Sequence, residues 1–251
     1  MKTSEASITT GIDIESVVIK YSPFFSEIRK RLIFTLSIFI ICAVVGFMYY
    51  ENIVRFVLSI FDLKGLNIVF TSPYQFFSLA VDSALLVGFI AIFPIIIFQI
   101  LSFLKPALRP SEYKAVLVLL PIAILLFISG FTFGVLIMKY VVVIFYQKSI
   151  ELNIGNFLDV TKLLSQILTT AVLMGIAFEF PVILTILMRL RILKFRAVAK
   201  KRLLVYVLSL IFAVLLPPTD LLSLVLLFLP LALLFELTLL LNRYVLKSHL
   251  L

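Results

Sequence analysis

The sequence predicts an all-α, polytopic membrane protein with six transmembrane helices, on three observations. Hydrophobic residues make up 63% of the 251 residues and charged ones 14%, whereas soluble domains are about 45–50% apolar. The mean hydropathy is +1.23. The apolar residues gather into six runs, about 32–50, 76–104, 115–138, 163–188, 203–216 and 221–241, with no second domain anywhere in 1–251.

The polar, aperiodic residues 1–12 are expected to be disordered. No signal peptide is visible, because the first long apolar run begins only at Leu32 and lacks a small-residue cleavage site. Across 14–31 apolar and charged residues alternate, and Ser22-Pro23 reads as a helix entry into an interfacial segment leading to the first span. Four of the six runs are long enough for a hydrocarbon core of about 30 Å at 1.5 Å per residue. The fifth covers only ~21 Å, and Leu216-Pro217-Pro218-Thr219-Asp220 after it cannot continue a helix. The sixth carries Pro230 and Glu236. These two runs form a helical hairpin that locally thins or tilts in the bilayer, or else a re-entrant one. The segments of about 51–75 and 146–162 exceed what a turn needs, and each is expected to carry a short helix.

The net charge of +9 raises nucleic acid as a partner, but the placement of the basic residues argues against it. Seventeen of the 22 lie before span one, between spans two and three, between four and five, and after six. By the positive-inside rule both termini are cytoplasmic, and the charge meets anionic lipid. The single cysteine, Cys42, sits in the first run, so no intrachain disulfide is available. His249, the only histidine, offers no metal site, and no nucleophile–base pair or phosphate loop appears, so catalysis is not expected.

The acidic residues carry the functional signal. Glu179, in Phe178-Glu179-Phe180-Pro181, falls inside the fourth run, where an ionisable side chain costs roughly 2.5–3.5 kcal/mol and should face a bundle interior. Pro181 withholds one N–H and permits a kink. A bond to a neighbouring helix is the structural alternative to a functional role. Glu27 precedes Arg31 by one turn: either an ordinary i,i+4 pair, or an acceptor for a guanidinium at the cytoplasmic mouth. Glu112 follows Ser111, which can cap the third span, so the helix dipole explains it; it also shares Glu27's face, and two carboxylates there suit a cationic ligand. Asp220 is expected to cap the sixth span, Asp82 to be interfacial, and Glu236 either to reach the interface or to need a partner.

These motifs, in this order, resemble the TatC family, the polytopic receptor subunit of the twin-arginine protein translocase. Ser26-Glu27-Ile28-Arg29-Lys30-Arg31-Leu32 is similar to the family's E-L-R-x-R-L entry. Ser72-Pro73-Tyr74-Gln75-Phe76-Phe77 precedes span two, and Phe93-Pro94 through Gln99 and Phe103-Leu104-Lys105-Pro106-Ala107-Leu108 close it. Glu112 stands at the family's acidic position, Phe178-Glu179-Phe180-Pro181 matches F-E-x-P, and Leu234-Phe235-Glu236 matches L-F-E. At the hairpin tip the sequence departs: Thr219 separates Pro218 from Asp220, and Leu224 replaces the expected glutamine.

The resemblance implies a cupped, glove-like six-helix bundle in the cell membrane. It places Glu27, Arg29 and Glu112 at a cytoplasmic site for the paired arginines of a signal peptide. It makes Glu179 and Glu236 intramembrane polar contacts for single-span TatA- and TatB-type partners in a larger complex using the proton gradient, with no cofactor or metal. The alternative reading of Glu179 is a proton-coupled secondary transporter of a small solute, although no inverted repeat is evident.

Overall fold

A computed structural model describes residues 14–61, 67–69, 72–104, 113, 117–152, 157–190, 192–217 and 220–245. Residues 1–12, Ser111 and Glu112 lie outside the described residues. The chain is a helical bundle: α1 (Ile14–Met48), α2 (Tyr50–Phe61), α3 (Gln75–Leu104), α4 (Leu119–Glu151), α5 (Val160–Ala177), α6 (Phe180–Arg189), α7 (Phe195–Lys200), α8 (Arg202–Leu215) and α9 (Leu221–Val245). Among the described residues five helical stretches are long and apolar enough to cross a membrane, namely Ser26–Met48, Gln75–Phe103, Leu119–Glu151, Val160–Arg189 and Leu221–Tyr244. The fifth run forms Arg202–Leu215, apolar but short, as its length predicted.

Three expectations are corrected. Helix α1 begins at Ile14 rather than at Ser22, because one proline removes only one ladder bond and the upstream residues continue the helix. Helix α4 runs past Met138 to Glu151, since the isolated charge of Lys139 interrupts an apolar run without ending a helix. The segment after it carries no separate helix among its described residues. Instead β1 (Asn67–Val69) pairs in parallel with β2 (Phe157–Asp159), in the register Asn67↔Phe157 and Val69↔Asp159. Asp82, expected at the interface, lies in α3 about 10 Å past Gln75, hydrogen-bonds Ser165 of α5, and has a buried Oδ2. The short helix expected in 51–75 is present as α2.

The fourth span, α5 with α6, is the most buried of the five and forms the axis of the bundle. Leu163, Leu164 and Ile167 pack with Val57, Leu79 and Met138 at one end. Val182 and Ile186 pack with Leu101 and Ala123 at the other. The hairpin α8–α9 closes on α4 and α5 through Ala213, Leu216, Leu227 and Met174. Bilayer lipid supplies no hydrophobic drive between helices, so close approach depends on small residues. Gly130 and Gly134, four apart on α4, supply it. A Cβ on Gly130 would lie 2.6 Å from the Met174 carbonyl oxygen, and one on Gly134 2.7 Å from the Ala171 Cα. Backbone cannot yield as a flexible side chain can.

Polar ties hold the ends. Asp159 caps α5, accepting from the Thr161 and Lys162 N–H groups at 3.0 and 3.2 Å, and also accepts from Gln75 Nε2 at 2.8 Å, which fixes the start of α3 beside it. Asp220 caps α9, accepting from the Ser223 N–H at 2.9 Å and its hydroxyl at 2.6 Å, as predicted. The hydroxyl of buried Thr170 donates to the Pro217 carbonyl and ties the hairpin tip to α5.

Gly134→Leu should lower stability by about 1–3 kcal/mol or prevent folding. Thermal unfolding in detergent measures this; a variant as stable as the parent would show that α4 and α5 do not meet there.

Candidate functional site

Helix α5 ends at Ala177, and the chain makes two tight steps before α6. The Phe178 N–H donates to Met174 O at 3.0 Å and the Glu179 N–H to Ile176 O at 3.1 Å. Pro181 falls in the first turn of α6 and has no N–H to offer, so the helix breaks where the sequence allowed a kink. The break sets Glu179 in the interior: it is 6% exposed. Its carboxylate lies against the Phe127 main chain, and Oε1 has no hydrogen-bond partner among the described residues. Around it Phe178 leans on Phe133 and Phe180 on Phe235, with centroids 5.8 and 6.1 Å apart. An acceptor sits at membrane depth, buried by the bundle rather than facing acyl chains.

At the end of the bundle where Arg31, Arg189, Arg202 and Arg243 gather, a second carboxylate is exposed. Glu27 accepts from Arg31 Nη2 at 2.5 Å through Oε1. Arg31 is itself anchored, its Nη1 donating to the Gln99 carbonyl at 2.9 Å and its guanidinium lying 5.4 Å from the Phe103 centroid. Thr35 donates to Gln99 Oε1 at 2.8 Å. The i,i+4 pair is thus present, and α3 grips it from one side, which holds Glu27 in place without burying it. Arg29 is exposed on the same helix. Glu112 lies outside the described residues; its sequence neighbour Tyr113 packs with Leu101, Ala123 and Val182 at this same end.

Glu236 has the partner its depth requires. It accepts from Tyr206 Oη at 2.5 Å and meets Arg202 at 3.4 Å, bonding α9 to α8. The structure therefore brings Glu27 to Arg31 and α3, and Glu236 to the hairpin, while Glu179 stands apart. Sequence reading missed Gln99 as the anchor of Arg31, Tyr206 as a donor, and the Asp82–Ser165 contact. Only the spacing of Gly130 and Gly134 carried a signal strong enough to notice, a small-xxx-small pattern inside an apolar run.

The fold and these carboxylates define a polytopic helical membrane protein with a polar interior position and one basic face bearing an anchored acid. Residues 23–230 match the model of the family described as Sec-independent protein translocase protein (TatC). The chain belongs to the TatC family. It is 30% identical over 222 residues to the Sec-independent protein translocase protein TatCy of Bacillus subtilis, covering 87% of this chain and 86% of that one. TatC of Aquifex aeolicus is 30% identical over 227 residues, covering 86% and 92%. A crystal structure titled as the twin arginine translocase receptor TatC superposes with a TM-score of 0.76 at 29% identity, over 88% of this chain and 98% of that one. The solute-transporter alternative gains no support from these similarities.

A buried carboxylate oxygen without a partner costs about 1–3 kcal/mol. Glu179→Leu should therefore be at least as stable as the parent in thermal unfolding. A clear loss of stability would mean that the carboxylate makes a stabilising bond.

Proposed function

We propose that this protein is the receptor and core subunit of a twin-arginine translocase, binding twin-arginine signal peptides at its cytoplasmic face. The observation that carries the reading is the exposed Glu27, held by an arginine that α3 anchors, on a face otherwise dominated by positive charge. Such a face repels a doubly positive peptide unless carboxylates are kept in position. Arg31 engages Glu27 through Oε1, and a carboxylate has lone pairs on both oxygens, so an incoming guanidinium has an acceptor. Two arginines need two acceptors, and Glu112 is the second, with Arg29 setting the register of the peptide on α1. The solved relative titled as a twin arginine translocase receptor supports the same role.

The distribution of basic residues puts both termini in the cytoplasm of a cell whose inner or sole membrane holds the chain. Glu179 offers a hydrogen-bond acceptor to a partner helix of the TatA or TatB type; intramembrane bonds of this kind contribute about 0.6–2 kcal/mol. Glu236, already shared between Arg202 and Tyr206, contributes to partner contact through the shape of the hairpin. Assembly into a larger complex in the lipid bilayer and use of the proton gradient complete the reading, with folded proteins as cargo and no catalytic chemistry.

Glu27→Ala combined with Glu112→Ala should cut photocrosslinking to a twin-arginine signal peptide at least about tenfold, the scale of one charge-assisted hydrogen bond. Undiminished crosslinking in the double variant rejects the site. Glu179→Ala should reduce co-purification of single-span partners; intact co-purification and export reject the partner contact.

A further inference from the structure

A cavity of about 890 Å³ runs along α9 at the basic end of the bundle, within the range of about 300–1,000 Å³ typical of ligand sites. Its walls differ in chemistry along their length. Phe133, Phe178, Pro230 and Leu233 make an apolar stretch, Leu237 stands midway level with Glu236 and Arg202, and Arg243 stands at the other end. From Pro230 to Arg243 the helix advances about 20 Å, more than the roughly 15 Å of one leaflet's hydrocarbon. Leu233 and Leu237 are 61% and 51% exposed, so the apolar stretch opens sideways to acyl chains rather than to water.

Charge selects the occupant. Glu236 neutralises one guanidinium, meeting Arg202 at 3.4 Å and holding Tyr206 as well. Arg243, in the last turn of α9, has no acidic partner within 4 Å among the described residues. The groove thus carries one uncompensated positive charge at its polar end. A phosphodiester carries one negative charge, and guanidinium forks match its oxygens. A soluble phosphate would make no use of the apolar stretch, and a zwitterionic headgroup would bring a cation back against Arg243.

We propose that this groove seats one anionic glycerophospholipid, its phosphate on Arg243 and Arg202 and an acyl chain along Phe133, Phe178 and Leu237. The lipid fills the seam between the short hairpin and the α4–α5 pair, where Arg202–Leu215 is too short to span the bilayer unaided. The inference does not depend on the receptor reading.

The test is native mass spectrometry of the purified full chain in detergent, incubated with phosphatidylglycerol or with phosphatidylcholine. One phosphatidylglycerol per chain should be retained, with about a tenfold preference over phosphatidylcholine. Arg243→Gln should reduce the preference to about twofold or less, while Lys30→Gln, which removes the same charge at the same end but off the groove, leaves it unchanged. Leu237→Trp, at an exposed position, should lower retention of both lipids, and glycerol phosphate alone should not displace the bound lipid. Equal retention of the two lipids, no retention of either, an Arg243→Gln variant like the parent, or an equal loss with Lys30→Gln would each overturn the proposal, the last by showing diffuse surface attraction. Should Leu237→Trp not fold, the comparison of Arg243→Gln with Lys30→Gln still decides.

Discussion

The rest of the bundle depends on the break in the fourth span. In hydrocarbon a backbone group without a partner is costly, and a proline leaves one carbonyl of the ladder without its usual donor. Just before Pro181 the ladder is interrupted, and the two residues of the step, Phe178 and Glu179, keep αR backbone and are buried in the interior. The carboxylate needs cover from acyl chains, which α4 supplies by approaching closely enough for the Phe127 main chain to lie against it. Gly130 and Gly134 permit that approach, so two glycines, one proline and one acid form a single device.

The two ends of the bundle are tied by different means. Away from the basic face, backbone and caps do the tying: the β1–β2 pair, Asp159 shared by α5 and Gln75, and Thr170 bonded to the Pro217 carbonyl. At the basic face, long side chains do it. Arg31 joins α1 to α3, Arg202 and Tyr206 join α8 to Glu236, and Asn242 donates to Thr185 Oγ1 at 3.0 Å to join α9 to α6. Side-chain ties leave charged groups exposed between the helix ends. That arrangement suits the peptide and lipid binding proposed for this face, whereas the opposite end is closed by main-chain pairing.

Much of the architecture was legible because a membrane span is a local property of the sequence. Length and hydropathy marked five long helices and the short one at Arg202–Leu215, and the acid in the Phe178–Pro181 motif marked an interior position before any helix was placed. Asp220 as a cap was equally local, since it bonds a residue three positions on. What failed had the opposite character. The three-residue strands carry no periodicity of their own, and β2 exists only because β1 lies alongside. Lys139 looked like a boundary because a charge ends an apolar run in sequence, whereas in space the helix simply continues through it.

By itself the sequence determined the helical membrane class, the basic asymmetry of the helix ends, the interior acid and the family whose motifs run in this order. Tertiary structure alone decided which acids are shared and which stand alone. Glu27 and Glu236 are held by Arg31 and by Arg202 with Tyr206, while Glu179 keeps an unpartnered oxygen. The physical reason is range: burial in lipid is set by a residue's near neighbours along one helix, but a hydrogen bond needs a partner that only the packing of a distant helix can bring within 3 Å or so.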